Sequence, residues 1–127
     1  EREVVAVIGD GGYQMTIQEL GTIFQSKVPV KIVVLNNSFL GMVRQWQQLF
    51  FEKRYASTEL VNPDFTAIAK AYYIKSKKVT KREELSSAVE EMIKSKDSFF
   101  LEVVVEKESN VFPMIPSGAS VSEIRLK

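Results

Sequence analysis

The sequence predicts an α/β domain in which helices flank a parallel β-sheet. Continuous apolar runs occur at residues 4–8 and 30–35, and such runs are typical of strands buried on both faces of a sheet. The segments between these runs carry apolar residues at helical spacing. Strands that alternate with helices favour a parallel sheet, because each crossover between parallel strands needs a helix-length connection.

The first strand ends at a Gly-Asp-Gly-Gly turn at residues 9–12, and a helix is predicted to follow at residues 13–26. Gly21 weakens this helix slightly, and Pro29 ends it before the second strand begins. Polar residues at 36–38 then end the second strand. The apolar positions of the helix are Tyr13, Ile17, Leu20 and Phe24.

A shorter helix is predicted after residue 40, followed by an irregular segment at residues 51–61. A third helix is predicted to begin with Asn62 as its N-terminal cap and Pro63 in its first turn. The apolar face of the shorter helix comprises Met42, Val43, Trp46, Leu49 and Phe50, and the buried stripe of the third comprises Phe65, Ile68, Ala69 and Tyr72.

The remaining elements complete the sheet. A short strand is predicted at residues 73–75 or 78–79, and the last strand at residues 99–105. Between them, the spacing of Thr80 and Glu83 fits a capping box, which predicts the start of a helix. The buried face of this helix comprises Leu85, Ala88, Val89, Met92 and Ile93.

The length of 127 residues fits one domain. We assign residues 1–107 to the α/β domain and residues 108–127 to a C-terminal tail, which is either a disordered end or an arm near the functional site. Because an apolar strand begins almost directly after Glu1, we expect the chain to be part of a longer protein, truncated on its N-terminal side.

The composition argues against several classes of function. The chain has no Cys and no His, which excludes disulfides, zinc sites built on those ligands, and Ser–His or Cys–His nucleophiles within it. Its net charge of +1 argues against a nucleic-acid partner, and the basic cluster at residues 75–82 is interpreted as a solvated surface. No apolar run approaches the roughly 20 residues of a membrane helix, and no signal peptide is visible, so we expect no membrane partner and a cytoplasmic location.

Polar residues follow each of the first two predicted strands. Asp10 comes after the first strand and Asn37 after the second. In a right-handed strand–helix–strand unit both strands end at the same edge of the sheet, where ligands collect. The 24 residues between Gly11 and Asn36 are enough for one crossover helix and the return strand. We therefore expect Asp10 and Asn37 to converge, although they lie 27 positions apart.

A carboxylate and an amide oxygen are ligands suited to Mg²⁺ or Ca²⁺. Gly11 and Gly12 open the helix beside Asp10, and glycine allows backbone N–H groups to approach a phosphate closely. Each of the two turns is common in proteins without a functional role. The pairing of Asp10 with Asn37 across one crossover is what predicts a site for Mg²⁺ and a diphosphate.

The same residues carry a resemblance to known enzymes. Gly-Asp-Gly at residues 9–11, 24 intervening residues and the pair Asn36-Asn37 resemble the thiamine diphosphate-binding signature of thiamine-dependent enzymes. More narrowly, the chain is similar over nearly its whole length to the catalytic large subunit of acetohydroxyacid (acetolactate) synthase. The segments that carry this similarity are Gln18-Glu19-Leu20, the run from Leu35 to Trp46 and the stretch from Asn110 to Gly118.

The resemblance implies the thiamine diphosphate-binding fold and a role for individual residues. It implies that Mg²⁺ is bound by the Asp10 carboxylate, the Asn37 side-chain oxygen and the backbone carbonyl of Phe39. It also implies that Trp46 lines the substrate channel, where the family favours 2-ketobutyrate as acceptor. The residues implied to bind the cofactor are Asp10, Gly11, Gly12, Asn37, Ser38, Phe39, Leu40, Gly41 and Met42.

Two positions depart from the family pattern, and one role depends on the resemblance alone. Gly12 stands where Ser is frequent, which removes a hydroxyl donor to phosphate. Phe39 stands where a polar residue is frequent, and a backbone ligand tolerates that change. By helical periodicity Met42 and Trp46 are expected to be core residues, and only the resemblance gives Trp46 a functional role.

The implied activity is the decarboxylation of pyruvate and the transfer of the two-carbon fragment to pyruvate or 2-ketobutyrate, in branched-chain amino acid biosynthesis. In the family, the activating glutamate and the domain that binds FAD lie outside the matching residues. We therefore assign no catalytic residue to this chain and expect it to be inactive alone. The implied partners are 2-keto acids, the other domains of the enzyme, further copies in a homo-oligomer and a regulatory small subunit.

Two alternatives remain open. One is a different thiamine diphosphate-dependent 2-keto acid decarboxylase or oxidase, which the Gln45-Trp46 pair argues against. The other is a non-catalytic nucleotide-binding or receiver-type domain of similar topology. A receiver needs an acidic cluster that Asp10 alone does not supply, and the Asn pair would have no role in it.

Overall fold

The computed structural model describes residues 2–126, whose strands form one four-stranded sheet. The strands are β1 (Val4–Gly9), β2 (Val30–Asn36), β3 (Lys75–Val79) and β4 (Phe99–Val104). The helices are α1 (Asp10–Gln14), α2 (Glu19–Ser26), α3 (Gly41–Phe50), α4 (Phe65–Ala71) and α5 (Arg82–Lys94). The strand order in the sheet is β1-β2-β4-β3, and all neighbours are parallel. The predicted α/β class with a parallel sheet is confirmed.

The sheet separates two apolar clusters. Side chains alternate between the two faces along β4, so Phe100 belongs to one cluster, whereas Phe99 and Leu101 belong to the other. Helices α1, α2 and α4 pack on the first face and α5 on the second. The first cluster comprises Tyr13, Leu20, Ile32, Val34, Phe65, Ala69, Ile74 and Phe100, and the second comprises Val79, Ala88, Met92, Phe99 and Leu101.

The prediction that the first strand is buried on both faces is wrong. β1 lies at the edge of the sheet, with β2 as its neighbour. Val4 and Val7 are 61% and 63% exposed, whereas Ala6 and Ile8 are half-buried. An edge strand is flanked on one side only, so a continuous apolar run does not by itself secure burial.

The helix predicted at residues 13–26 forms as two shorter helices. α1 begins earlier than expected, at Asp10, and a turn around Thr16 separates it from α2. The N–H of Thr16 donates to the carbonyl of Tyr13 at 3.0 Å, which is the tighter spacing of a 3-10 turn.

Helix α3 presents its apolar face outward, contrary to the expectation of a core helix. Met42 and Trp46 are 50% and 41% exposed, whereas Arg44 and Gln45 on the inner side are 4% and 1% exposed. The guanidinium of Arg44 forms an ion pair with Glu108 at 3.1 Å. Polar contacts with the segments that follow, rather than apolar packing, therefore hold the inner side of this helix.

Both predicted helix caps differ from those observed. α4 is capped by Asp64, whose carboxylate accepts a hydrogen bond from the N–H of Ala67 at 3.0 Å, and not by Asn62. At α5 the cap position is Lys81, which makes no side-chain capping bond, so the capping box predicted from Thr80 does not form.

Helical periodicity also overestimates burial on α2 and α5. Phe24 is half exposed, and its ring stacks on that of Tyr73 with 5.3 Å between centroids. On α5 the sheet covers Ala88 and Met92 only. A single helix resting on a sheet contacts it along a narrow stripe, so the outer apolar residues Leu85, Val89 and Ile93 are exposed.

A buried charge interrupts the apolar pattern of β2. The Lys31 side chain is fully buried, and its ammonium donates to the carbonyls of Ser95 and Asp97, both at 2.7 Å. These carbonyls follow the C-terminal end of α5. Lys31 therefore ties the connection between α5 and β4 to the edge of the sheet where the strands begin.

The segment after β4 lies against α3. It includes a short 3-10 helix (Val121–Glu123) and an isolated antiparallel bridge between Met114 and Arg125. In the part of the chain that the structure describes, no helix is both long and apolar enough to cross a membrane.

Candidate functional site

A cleft opens at the edge of the sheet where β1 and β2 end. Gly9 is in register with Leu35, so the residues after both strands reach the same edge. The cleft has a volume of about 670 Å³, within the range of roughly 300–1,000 Å³ for small-molecule sites. Eight of the nine residues that the resemblance assigns to the cofactor line it, namely Asp10, Gly11, Gly12, Asn37, Phe39, Leu40, Gly41 and Met42.

The carboxylate of Asp10 is the only side chain of these eight that carries a charge, and it is 1% exposed. Its Oδ2 atom accepts hydrogen bonds from the backbone N–H of Ser38 at 3.0 Å and from the side chain of Asn62 at 2.6 Å. The bond to Ser38 joins Asp10 directly to the turn that contains Asn37. The two regions that the sequence analysis expects to converge are therefore in contact.

The turn after β2 is shaped by its own amide side chains. The Asn36 Oδ1 atom accepts from the N–H of Ser38 at 3.0 Å, and the Asn37 Oδ1 atom accepts from the N–H of Phe39 at 3.1 Å. Ser38 adopts a left-handed conformation with φ of 57°. These bonds turn the chain from the end of β2 into the start of α3 and place the Asn37 side chain in the cleft.

Close packing explains why a glycine follows Asp10. A Cβ atom on Gly11 would lie 2.9 Å from the Cδ2 atom of Leu40 and 3.2 Å from the Cδ1 atom of Leu60. Leu60 is held in place by its N–H, which donates to the carbonyl of Ser38 at 2.8 Å. A side chain at position 11 would therefore require the Leu40 side chain to shift.

Two predicted site residues lie outside the cleft lining. Ser38 contributes its backbone N–H to Asp10, while its hydroxyl bonds to Asn36 at 3.2 Å. Trp46 lies in a neighbouring shallow groove of about 380 Å³, with its ring 5.7 Å from that of Phe50. Met42 lines both the cleft and the groove, so the two are adjacent.

Sequence reasoning missed part of the site. Asn62, predicted as a helix cap, contacts Asp10 instead. Glu106, Ser109 and Val111 line the side of the cleft beyond β4. No sequence pattern marked Glu106 or Ser109, and Val111 was marked only as part of the stretch that carries the resemblance. Ser109 and Val111 place the first residues of the C-terminal segment beside the cleft. The sequence offered one indication for Asn62. Asp64, two residues later, can also cap the helix, so Asn62 was not required for that role.

The residues of the cleft fit the Mg²⁺ ion that the resemblance implies. Within residues 2–126 no Lys or Arg forms an ion pair with Asp10, and a buried carboxylate without a cation is unfavourable. Both hydrogen bonds of this carboxylate use Oδ2, which leaves Oδ1 for a cation.

The neutral oxygens beside Asp10 fit as well. In the described part of the chain the carbonyls of Ser38 and Leu40 accept backbone hydrogen bonds, whereas the Phe39 carbonyl between them accepts none. An amide oxygen such as that of Asn37 has a second lone pair beyond the one that Phe39 uses. No group of three or more His, Cys, Asp or Glu residues suited to a metal occurs among residues 2–126. One carboxylate with neutral oxygens is a donor set typical of Mg²⁺, which completes its shell with phosphate oxygens and water.

The chain is similar to acetolactate synthases and to a benzoylformate decarboxylase. It is 45% identical over 122 residues to the acetolactate synthase isozyme 2 large subunit of Escherichia coli, and the aligned region covers 95% of this chain and 22% of that protein. It is 42% identical over 123 residues to the mitochondrial acetolactate synthase catalytic subunit of Saccharomyces cerevisiae, covering 97% and 18%. The crystal structure of benzoylformate decarboxylase from Polynucleobacter necessarius has a TM-score of 0.79 at 32% identity, covering 87% of this chain and 21% of that one.

The chain thus spans about a fifth of the length of these relatives. The family model described as "Thiamine pyrophosphate enzyme, C-terminal TPP binding domain" matches residues 1–103. The predicted thiamine diphosphate-binding fold is confirmed, and a receiver-type or nucleotide-binding domain is not favoured. Because that model covers most of its residues, the chain belongs to the family of C-terminal TPP-binding domains of thiamine pyrophosphate enzymes.

Proposed function

We propose that the chain is the thiamine diphosphate- and Mg²⁺-binding part of an acetolactate synthase large subunit. The proposed enzyme decarboxylates pyruvate and joins the two-carbon fragment to pyruvate or 2-ketobutyrate, a reaction of branched-chain amino acid biosynthesis. The observation that carries the proposal is the buried Asp10 carboxylate beside the turn after β2, which has no ion-pair partner among residues 2–126. The 45% identity to an acetolactate synthase large subunit supports the choice of reaction.

Three oxygens are proposed to hold the metal: a carboxylate oxygen of Asp10, the side-chain oxygen of Asn37 and the main-chain carbonyl of Phe39. Burial strengthens the attraction between the carboxylate and a divalent cation, because little water competes with it. The hydrogen bonds that Asp10 and Asn37 already make fix both side chains in position before a cation arrives. The role of this chain is thus to present a prearranged set of oxygen ligands.

The walls of the cleft are proposed to hold the cofactor. The N–H groups of Gly11 and Gly12 would donate to the diphosphate, and residues 37–42 would form the opposite wall, with Met42 beside the thiamine rings. Bound thiamine diphosphate would supply carbanion chemistry for the decarboxylation of a 2-keto acid. The chain would bind and orient this group in a cleft whose apolar lining includes Leu40, Met42 and Val43.

The groove beside the cleft is proposed to admit the substrates. Trp46 lies in it together with Met42, Val43 and Phe51. Its large ring would set the space available to the acceptor, and so the preference between pyruvate and 2-ketobutyrate. The outward apolar face of α3 suits this role better than a role in the core, because its side chains remain exposed.

The rest of the activity is proposed to depend on parts of the enzyme beyond this chain. These are the activating glutamate, the FAD-binding domain, further copies of the subunit and a regulatory small subunit. We propose that the chain alone is inactive. A cytoplasmic location also remains a proposal, because relatives include mitochondrial and chloroplastic proteins.

The test is an assay of the full-length protein that contains this chain, with pyruvate, thiamine diphosphate, Mg²⁺ and FAD. The expected product is acetolactate, and added 2-ketobutyrate should give the mixed product. Release of the aldehyde without condensation would instead identify a 2-keto acid decarboxylase, the activity named for the benzoylformate decarboxylase relative. Acetolactate formation by residues 1–127 alone would contradict the proposal that they are an incomplete part of the enzyme.

A further inference from the structure

We propose that Asn62 is a positioning residue, which sets the orientation of the Asp10 carboxylate for its cation. The inference rests on the proposed function, because it concerns the metal ligand named there. Asn62 lies 52 residues from Asp10 in the chain, yet its amide nitrogen is 2.6 Å from the Oδ2 atom of that carboxylate. Asn62 is not among the residues proposed to bind the metal or the cofactor.

The amide of Asn62 uses all of its polar hydrogens and its oxygen. Its nitrogen donates to Asp10 and also to the Oδ1 atom of Asn36 at 3.0 Å. Its oxygen accepts a hydrogen bond from the Gln14 side chain at 2.7 Å. An amide nitrogen has two hydrogens, so both are committed, and the side chain cannot turn without losing three bonds.

A buried carboxylate on β4 determines which way these amides face. Glu102 is fully buried, and its Oε1 atom accepts from the Asn36 amide nitrogen at 2.7 Å and from the Lys78 ammonium at 2.9 Å. The Asn36 amide nitrogen must therefore face Glu102, which turns the Asn36 Oδ1 atom towards Asn62. Asn62 must then direct its amide nitrogen at that oxygen. The donor–acceptor pattern thus passes from Glu102 through Asn36 to Asn62 and Asp10.

The two carboxylate oxygens of Asp10 therefore have different roles. Oδ2 receives hydrogen bonds from Asn62 and from the N–H of Ser38, which come from two different segments. Oδ1 makes neither bond and is directed to a cation. Partners that orient a metal ligand typically contribute a factor of about 10–100 to metal affinity.

The experiment measures the affinity of the full-length enzyme for Mn²⁺, used as the probe cation at saturating thiamine diphosphate. Free Mn²⁺ is followed by its electron paramagnetic resonance signal, which does not depend on turnover. The variant Asn62→Ala should bind Mn²⁺ about 10–100-fold more weakly than the unmodified enzyme. Asn62→Ser keeps one hydroxyl donor and a small polar side chain, and should lie between the two.

Asp64→Ala is the matched control. Asp64 lies two residues away and caps α4 through its bond to Ala67, so its loss should lower the melting temperature. Because Asp64 does not contact Asp10, the Mn²⁺ affinity of this variant should not change. If Asn62 is a positioning residue, its substitution lowers the Mn²⁺ affinity. If its role is only structural, its substitution lowers only the melting temperature.

Two results would overturn the inference while leaving the site itself intact. One is tight Mn²⁺ binding by folded Asn62→Ala and Asn62→Ser, within a factor of two of the unmodified enzyme, when Asp10→Ala has lost it. The other is an equal loss of affinity in Asp64→Ala. If the unmodified enzyme does not bind Mn²⁺ with thiamine diphosphate, or Asp10→Ala binds it equally well, the proposed function fails and the inference with it.

Discussion

The side chain of Gln45 and the backbone of Val111 are joined by two hydrogen bonds. The Gln45 amide nitrogen donates to the Val111 carbonyl at 2.9 Å, and the Val111 N–H donates to the Gln45 Oε1 atom at 2.7 Å. Gln47, two residues along α3, makes the same pair of bonds to Ala56, both at 3.0 Å. α3 thus holds the C-terminal segment through Gln45 and the segment directly after the helix through Gln47.

This symmetry predicts that Gln45→Leu releases the C-terminal segment and that Gln47→Leu does not. Gln45 is buried and its two bonds are worth about 1–3 kcal/mol together. Amide hydrogen exchange of residues 109–115 should accelerate in Gln45→Leu, whereas Gln47→Leu should accelerate exchange near Ala56. Equal protection of the C-terminal segment in both variants would contradict the assignment of this clamp to Gln45.

Asp10→Ala should remove Mg²⁺-dependent binding of thiamine diphosphate in the full-length protein. The variant loses the only charged ligand proposed for the cation, so the affinity for Mg²⁺ should fall by more than the roughly 10–100-fold caused by losing an outer partner. Isothermal titration calorimetry with Mg²⁺ and the cofactor measures the change. Asp97→Asn, which alters an exposed carboxylate, is the control, and unchanged affinity in Asp10→Ala would refute the metal assignment.

Trp46→Leu should change the choice of acceptor more than the affinity for the cofactor. Trp46 lies in the groove and not in the cleft, so its ring should act on the substrate alone. With pyruvate and 2-ketobutyrate in competition, the ratio of the two products should shift by about 10-fold, a typical effect of remodelling an apolar pocket. Phe24→Leu, an exposed aromatic on α2, is the control. Loss of stability with no change in product ratio would indicate that Trp46 has only a packing role.

Tyr13→Phe should leave the free energy of unfolding unchanged or raise it by about 1 kcal/mol relative to the unmodified protein. The Tyr13 hydroxyl is buried, and it has no hydrogen-bond partner within residues 2–126. Its removal therefore relieves a desolvation cost while the ring keeps its contacts with Phe65 and Phe100, each 5.1 Å between centroids. Chemical denaturation at neutral pH measures the difference, and a clear loss of stability would show that the hydroxyl has an unseen partner.

The same residue predicts a difference at alkaline pH. Burial, with a smaller contribution from Tyr72, raises the pKa of Tyr13 from 10.0 to about 12. A raised pKa in the folded state means that the folded protein holds this proton more tightly than the unfolded chain. The stability that it contributes is complete below pH 10 and is lost between pH 10 and 12, by up to about 3 kcal/mol. Tyr13→Phe should lack this part of the fall, so the stability of the variant relative to the unmodified protein should increase as the pH rises from 10 to 12.

The sequence predicted the convergence of Asp10 with the turn after β2 better than it predicted which surfaces are buried. Asp10 and the turn at residues 36–38 could be placed together because parallel strands joined by one crossover end at one edge. Burial was predicted less well, since β1 and α3 have apolar faces that no element within residues 2–126 covers. Periodicity reports which face is apolar and does not report what lies against it.

Long-range hydrogen bonds were beyond prediction for a related reason. Asn62 and Asp64 are both good caps, and the local sequence does not say which of them will cap α4. The carboxylate of Asp10, 52 residues away, decides the matter because it attracts the Asn62 amide. Prediction of the bond between Asn36 and Glu102 in turn requires the knowledge that β4 lies beside β2.

By itself the sequence determined the class of fold and the position of Asp10 and Asn37 directly after the first two strands, because these follow from local patterns and chain connectivity. The family followed from the resemblance that its motifs carry. Only the tertiary structure decided how Asp10 is oriented, which face of α3 is exposed and where the C-terminal segment lies. The physical reason is that orientation and burial depend on contacts between residues more than 50 positions apart, such as Asn62 with Asp10 and Val111 with Gln45.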